Sequence, residues 1–385
     1  MVAAGAPPPI IPSRLDTPDP ERQRKARELS KRTRLLSLVD IVTNAAFMGA
    51  LLASGLNEEI AELVESSLLV EVAATALIIF GAYTLLQAPL SFYRGYLLPK
   101  RYGLLTQSIK GWLGDVAKAA LVGGLLALVL VEGLYLTFDW VPGWWWLIAA
   151  GGYLVFTVVL GTLAPLLLVP LFFKPKPLED EVLVRRLEAL AAEAGVRIKG
   201  VYVIDMSSKG TQSNAVLMGL GATRRILLGD TLLDNCTQEE IEVVIAHELA
   251  HHVHRDIPKG IAISTASTLA TFAVAALILD WAMDALGYDG LSDVAGMPLV
   301  VLVLSAIGLV LRPIENAYSR LIESRADRYA LESTKMASQF ISMMTKLADQ
   351  NLTEADPSYL AKIWFYTHPP HRDRVAMAER FQLGG

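Results

Sequence analysis

The chain reads as a polytopic α-helical membrane protein, with about six transmembrane helices, carrying one soluble α+β domain between its fourth and fifth spans. Three observations predict this. Of its 385 residues, 53% are hydrophobic and only 19% charged, too apolar for an ordinary soluble domain. Apolar stretches near or above the roughly 20 residues a bilayer requires stand at about 35–54, 67–90, 116–137, 144–169 and 261–283, with a shorter one at about 297–311. Between the fourth and fifth, residues 174–258 switch between helical and strand periodicity and end in a histidine cluster.

Residues 1–34 are expected to form a disordered, basic leader, its first 20 or so residues rich in Pro and Ala; no basic segment with a cleavable apolar core opens the chain, so no signal peptide is expected. The spans then occupy 35–173 and 259–312, and 313–385 completes the soluble part. Arg22, Arg24, Lys25, Arg27, Lys31, Arg32 and Arg34 precede the first span, and Arg94, Lys100, Arg101 and Lys110 lie between the second and third. The opposite loops hold Glu58, Glu59, Glu62 and Glu65, then Asp284, Asp289 and Asp293, with Trp140, Trp144, Trp145 and Trp146 expected as an interfacial belt. Basic loops stay inside, so both termini and the soluble domain should face the cytoplasm. The single cysteine, Cys236, excludes an internal disulfide and reads as a buried thiol in a reducing compartment. A net charge of −5 gives no sign of a nucleic-acid surface.

Within the soluble domain, 178–195 is amphipathic, with Val182, Leu183, Leu187, Leu190 and Ala191 on one stripe. Gly200–Asp205, Asn214–Met218 and Arg225–Gly229 are short strand candidates separated by turn residues. A helix follows: Asp234, Asn235 or Thr237 can cap it, Glu239, Glu240 and Glu242 suit its positive end, Val243, Val244 and Ile245 supply an apolar body, and Pro258 is expected to end it.

That helix carries four of the six histidines, His247, His251, His252 and His254, and His247-Glu248-Leu249-Ala250-His251 is an H-E-x-x-H sequence. Residues four apart share a helical face, so His247 and His251 can converge on one zinc ion while Glu248 projects beside it toward a metal-bound water. Helix, small sheet and metal helix, in that order, make a zincin-like core. The extended H-E-x-x-H-x-x-G-x-x-H pattern would need Gly at 254 and His at 257, where the chain has His254 and Ile257, so a downstream carboxylate is the alternative third ligand. Glu323 and Asp327, four apart after the sixth apolar stretch, suit one as ligand and the other as partner to a ligand imidazole.

From about residue 85 to 380 the chain resembles the M48 metallopeptidases and, within them, the membrane-embedded CAAX prenyl protease branch. The resemblance runs through Pro89-Leu90-Ser91-Phe92-Tyr93, the basic loop ending in Gly111 to Lys118, Gln212-Ser213-Asn214-Ala215, Arg225 to Leu233, the H-E-x-x-H, Ser319-Arg320 with Glu323 and Ala326-Asp327, and Trp364-Phe365-Tyr366-Thr367-His368-Pro369-Pro370 followed by Arg374. It implies one zinc on His247, His251 and Glu323, with Glu248 as general base and acid and Asp327 behind a ligand. It further implies that Asn214 holds the substrate backbone and that His368 and Arg374 stabilise the oxyanion and order the site. The substrate implied is a membrane-associated peptide or protein, including C-terminally prenylated ones. The chain lacks the additional first span of the eukaryotic pattern and has Asp256 where that pattern has His. Its compactness points to a prokaryotic inner membrane. Two other readings are weighed: a quality-control protease like the heat-shock membrane branch, and a transporter or channel using Asp40, Asn44, Asp115, Lys118, Glu132 and Asp280. A transporter has no need of the zinc constellation.

Overall fold

The computed structural model describes residues 17–64, 66–167, 169–219 and 224–384. The Pro- and Ala-rich start of the expected leader lies outside them. In chain order the helices are α1 (Pro20–Ser54), α2 (Leu56–Glu62), α3 (Leu68–Phe92), α4 (Leu98–Arg101), α5 (Ile109–Trp140), α6 (Trp145–Leu167), α7 (Val169–Phe172), α8 (Glu181–Glu193), α9 (Asp230–Asn235), α10 (Gln238–Val253), α11 (Asp256–Leu286), α12 (Met297–Thr334), α13 (Ala337–Gln350), α14 (Tyr359–Phe365) and α15 (His371–Gly384). The strands are β1 (Lys176–Pro177), β2 (Val201–Ile204), β3 (Ala215–Met218) and β4 (Arg225–Gly229). Six helices among the described residues are long and apolar enough to cross a membrane, four before β1 and two after α10.

Three expectations are corrected. Residues 20–34 are not an unstructured leader but the first turns of α1. Asp19 caps them by accepting from the Arg22 N–H at 2.8 Å, Pro20 sits where its missing N–H costs nothing, and Glu28 and Arg32 pair one turn apart at 2.8 Å. Pro258 does not end the histidine helix. The break falls earlier, at His254 and at Arg255, whose φ of 55° is left-handed, and Pro258 lies in the first turn of α11, where proline is tolerated. Trp145 does not belong to an interfacial belt: it is 1% exposed, its ring 4.7 Å from Phe138, inside the cluster that joins α3, α5, α6, α11 and α12. Trp140 and Trp144 stay exposed.

The soluble core is built from Leu183 and Leu187 of α8, Ile226 and Leu228 of β4, Val243, Ile245 and Leu249 of α10, Ala330 of α12 and Phe340 of α13, all buried. The sheet runs β1-β2-β4-β3, with β2 and β4 parallel and the other pairs antiparallel. This leaves β3 on an edge, with Ala215 opposite Leu228 and Met218 opposite Arg225. The sixth apolar stretch is only the start of α12, a 38-residue helix that runs through Pro313 and on into the soluble core. The soluble part is thereby joined to the long apolar helices through α11 and α12.

Candidate active site

Helix α10 begins in a capping box. Thr237 Oγ1 accepts from the Glu240 N–H at 3.3 Å and Glu240 Oε2 accepts from the Thr237 N–H at 2.8 Å, so two orphan donors of the first turn are satisfied. The same Glu240 carboxylate binds Lys346 Nζ at 2.7 Å and accepts from Ser342 Oγ at 2.7 Å, tying α10 to α13. From this fixed start the H-E-x-x-H spacing places His247 one turn before His251, their rings edge to face at 5.2 Å.

Across them lies α12. Glu323 Oε2 is 3.1 Å from His247 Nε2 and Glu323 Oε1 is 3.8 Å from His251 Nε2, and the three donor atoms fall within 4.8 Å of one another. Each imidazole has a carboxylate behind it: Asp327 Oδ1 is 2.9 Å from His247 Nδ1, and Asp256 Oδ2 is 3.1 Å from His251 Nδ1. A carboxylate there holds the proton on Nδ1 and turns the Nε2 lone pair inward, the arrangement that suits a metal. Glu323 Oε2 is buried and makes no hydrogen bond of good geometry, an orphan acceptor aimed between the histidines. Two imidazoles and one carboxylate converging from two helices fit a divalent cation with a further position open to water or substrate.

Asp327 is fully buried, and burial alone would raise its carboxyl; Arg374, gripping it with both Nε at 2.8 Å and Nη2, and His247 hold it down at about 2. Asp327 is therefore ionised throughout the physiological range. Asp256 is likewise buried and faces Arg325 at 3.6 Å. Glu248 turns from the ligand set into a cavity of about 380 Å³ that Asn214, His247, His368 and Arg374 also line. Burial pushes the Glu248 carboxyl up, against the pull of the two neighbouring histidines. His368 approaches from the loop after α14: its Nδ1 is 3.0 Å from Thr367 Oγ1 and its Nε2 3.4 Å from Glu323 Oε2. Asn214 stands just before the edge strand, its backbone oxygen accepting from the Gly229 N–H at 2.9 Å. Val244, Leu232, Met343 and Met344 give the cavity an apolar floor.

All eight residues singled out in the sequence thus meet at one place. Sequence reasoning missed Asp256 as the partner of His251, although its spacing of five after a ligand, at the start of the next helix, was visible. It also missed His371, buried in the cavity wall with Nε2 3.0 Å from Thr345 Oγ1. His254 and Glu315, the other ligand types nearby, lie apart from the set: His254 packs edge-on to Tyr329, and Glu315 accepts from Ser267 at 3.0 Å.

A zincin-like core that grows out of membrane helices and holds a His-His-Glu set beside a half-buried glutamate defines a membrane-embedded metallopeptidase. The model for peptidase family M48 matches residues 177–382, and that for the CAAX prenyl protease N-terminal region, five membrane helices, matches residues 6–174. The chain belongs to peptidase family M48, in its CAAX prenyl protease branch. The described residues contain four candidate spans where that N-terminal model has five. Among relatives, the chain is 27% identical over 372 residues to the "uncharacterized metalloprotease YhfN" of Bacillus subtilis, covering 94% of this chain and 86% of that one. It is 30% identical over 298 residues to the "probable CAAX prenyl protease 1" of Schizosaccharomyces pombe, covering 76% of this chain and 62% of that one. The crystal structure of S. mikatae Ste24p superposes with a TM-score of 0.83 at 23% identity, covering 97% of this chain and 92% of that chain, which establishes a shared fold.

Proposed function

We propose that the protein is a zinc endopeptidase that cuts membrane-associated peptides, C-terminally prenylated ones included, with its catalytic part on the cytoplasmic face of the membrane. The observation that carries this reading is the His247, His251 and Glu323 set, held by α10, which turns directly into the fifth candidate span, and by α12, which continues from the sixth, beside an open sheet edge. Zinc bound there would supply a Lewis acid and lower the pKa of a bound water toward about 7.

The chain's own residues do the rest. Glu248 takes the proton of the attacking water and returns it to the leaving amine; a carboxyl raised by burial is suited to both transfers. His368, steered by Thr367, presents Nε2 to the negative charge that develops on the substrate oxygen. Asp327 and Asp256 fix the two ligand imidazoles, and Arg374 fixes Asp327. A peptide laid along β3 in extended form would add a strand to the edge, with Asn214 at the point where it meets the site.

Polar residues inside the spans give the transporter reading little support: Asp40 accepts from Tyr83 at 3.1 Å and from Gln87 at 2.5 Å, and Asp115 is paired with Lys209 at 2.6 Å. The test is competition between a farnesylated C-terminal peptide and its plain copy, in detergent and in liposomes, with and without chelator. Chelator should abolish cleavage, and the lipidated peptide should win, because a tethered substrate gains effective concentration at a membrane-level site. Equal turnover of both would move the assignment to a general quality-control protease.

A further inference from the structure

Asn316, Arg320, Glu323 and Asp327 recur along α12 at helical spacing and so share one of its faces. Glu323 and Asp327 belong to the metal set. Arg320 has no carboxylate partner among the described residues; its Nη1 donates instead to two backbone oxygens, of Lys362 at 3.0 Å and of Tyr366 at 2.7 Å. Asn316, buried beside it, donates through Nδ2 to the Ile363 oxygen at 3.1 Å. These carbonyls end α14 and need donors from elsewhere. Tyr366 leaves that helix in an extended conformation, and Pro369 and Pro370 have no N–H to turn back onto it.

The chain is tied to the same helix face a second time where Arg374, in the first turn of α15, holds Asp327 through Nε at 2.8 Å. Arg320 and Asp327 stand about 10 Å apart along α12 at 1.5 Å per residue, with Glu323 between them. The stretch between the two ties contains His368, then Pro369 and Pro370, both buried. Proline fixes its own φ and keeps the residue before it extended, so this stretch has few conformations. Pinned on either side of Glu323, it hangs His368 over that carboxylate, with Nε2 3.4 Å from Glu323 Oε2. Packing alone would not hold the imidazole there, because the His368 side chain is 60% exposed and its bond to Thr367 lies within the same loop. We infer that Arg320 is a positioning residue for the reaction: by holding the Lys362 and Tyr366 carbonyls it sets where His368 meets the substrate oxygen. This rests on the role given to His368 above. Arg320 itself bonds only to backbone, so its effect passes through His368.

A double-mutant cycle tests this on the full-length protein in detergent, with a farnesylated C-terminal peptide as substrate and with kcat, KM and zinc content measured together. Arg320→Gln should lower kcat about 10–100-fold, the cost of a misplaced catalytic group, while KM and zinc stay at wild-type values. In the His368→Ala background the same substitution should change kcat less than about two-fold, since a residue acting only through His368 has nothing left to act on. Arg320→Lys keeps a cation but reaches one carbonyl at a time, so it should recover part of the turnover; it also carries the cycle where Arg320→Gln does not fold. Wild-type kcat in Arg320→Gln, lost zinc that accounts for the lost turnover, or equal losses with and without His368 each overturns the proposal. His368→Ala with wild-type turnover would remove the oxyanion role of His368 and this proposal with it, leaving the metal site untouched. A wild type that cuts no peptide, lipidated or plain, would instead remove the peptidase reading itself.

Discussion

At the scale of single residues, the site separates groups that hold a metal from groups that do chemistry. Glu248→Gln should keep fold and metal while lowering turnover at least ~10²–10⁴-fold, the usual size of a general-base effect; elemental analysis beside a peptide assay reads both. Asp256→Asn and Asp327→Asn should each weaken metal binding by about 10–100-fold, as expected when a ligand imidazole loses its carboxylate partner. A chelator titration measures this, and unchanged affinity in both would show that the carboxylates do not orient the ligands. His371 gives a pH dependence. Burial, with Arg374 nearby, pushes its imidazole down to about 4, below the ordinary value near 6.5. Between those values the unfolded chain binds a proton that the folded one refuses, so this histidine's contribution makes stability fall as pH drops from about 6.5 toward 4. Thermal midpoints at pH 7 and 5 should diverge more for wild type than for His371→Gln. The ligands and the base were legible in the sequence because i,i+4 spacing fixes their geometry before any tertiary contact forms. Asp256 was not: its role depends on the left-handed turn at Arg255 that swings the start of α11 back toward His251.

At the scale of elements, α1 is a brace as well as a span. Gln23, 7% exposed, donates to the Thr353 oxygen at 3.2 Å and accepts from the Ala355 N–H at 3.0 Å, and Arg22 Nε donates to the Asp349 oxygen at 2.9 Å. Glu354, in the same loop, is bonded to both Arg34 and the Tyr366 hydroxyl, two residues from His368. Gln23→Leu would leave a buried carbonyl and an N–H unpaired, costing about 1–3 kcal/mol. A lowered thermal midpoint in detergent checks this, and an unchanged midpoint would show the contact to be idle. Strands β2, β3 and β4 were legible to within a residue because β-branched and apolar runs stand between turn residues. The helical start of α1 was not, since its charges read as solvated leader until a partner loop 330 residues away is known. Nor was the length of α12, because Arg312 and Pro313 look like a stop and tertiary packing carries the helix through them.

At the scale of the whole molecule, charge distribution predicts a topology with both termini and the soluble part inside. Cysteine introduced at Ser292 should be labelled from outside and at Ser207 from inside. Cys236 should add no background, because burial pushes its thiol up to about 11. The reverse pattern would show the charge reading was wrong. The six long apolar helices among the described residues were legible from hydropathy, while their packing was not: Trp145 has the same side chain as its exposed neighbour Trp144 and differs from it only in what surrounds it. What joins membrane and catalysis is continuity of chain, with α10 turning into α11 at Arg255 and α12 delivering Glu323 from the sixth span. Helices α10 and α12 together build one candidate metal site. Metal content of purified wild type and of His247→Ala, His251→Ala and Glu323→Ala tests it most directly. Wild type should carry one zinc per chain and each variant should lose it; full retention in Glu323→Ala would show that α12 supplies no ligand.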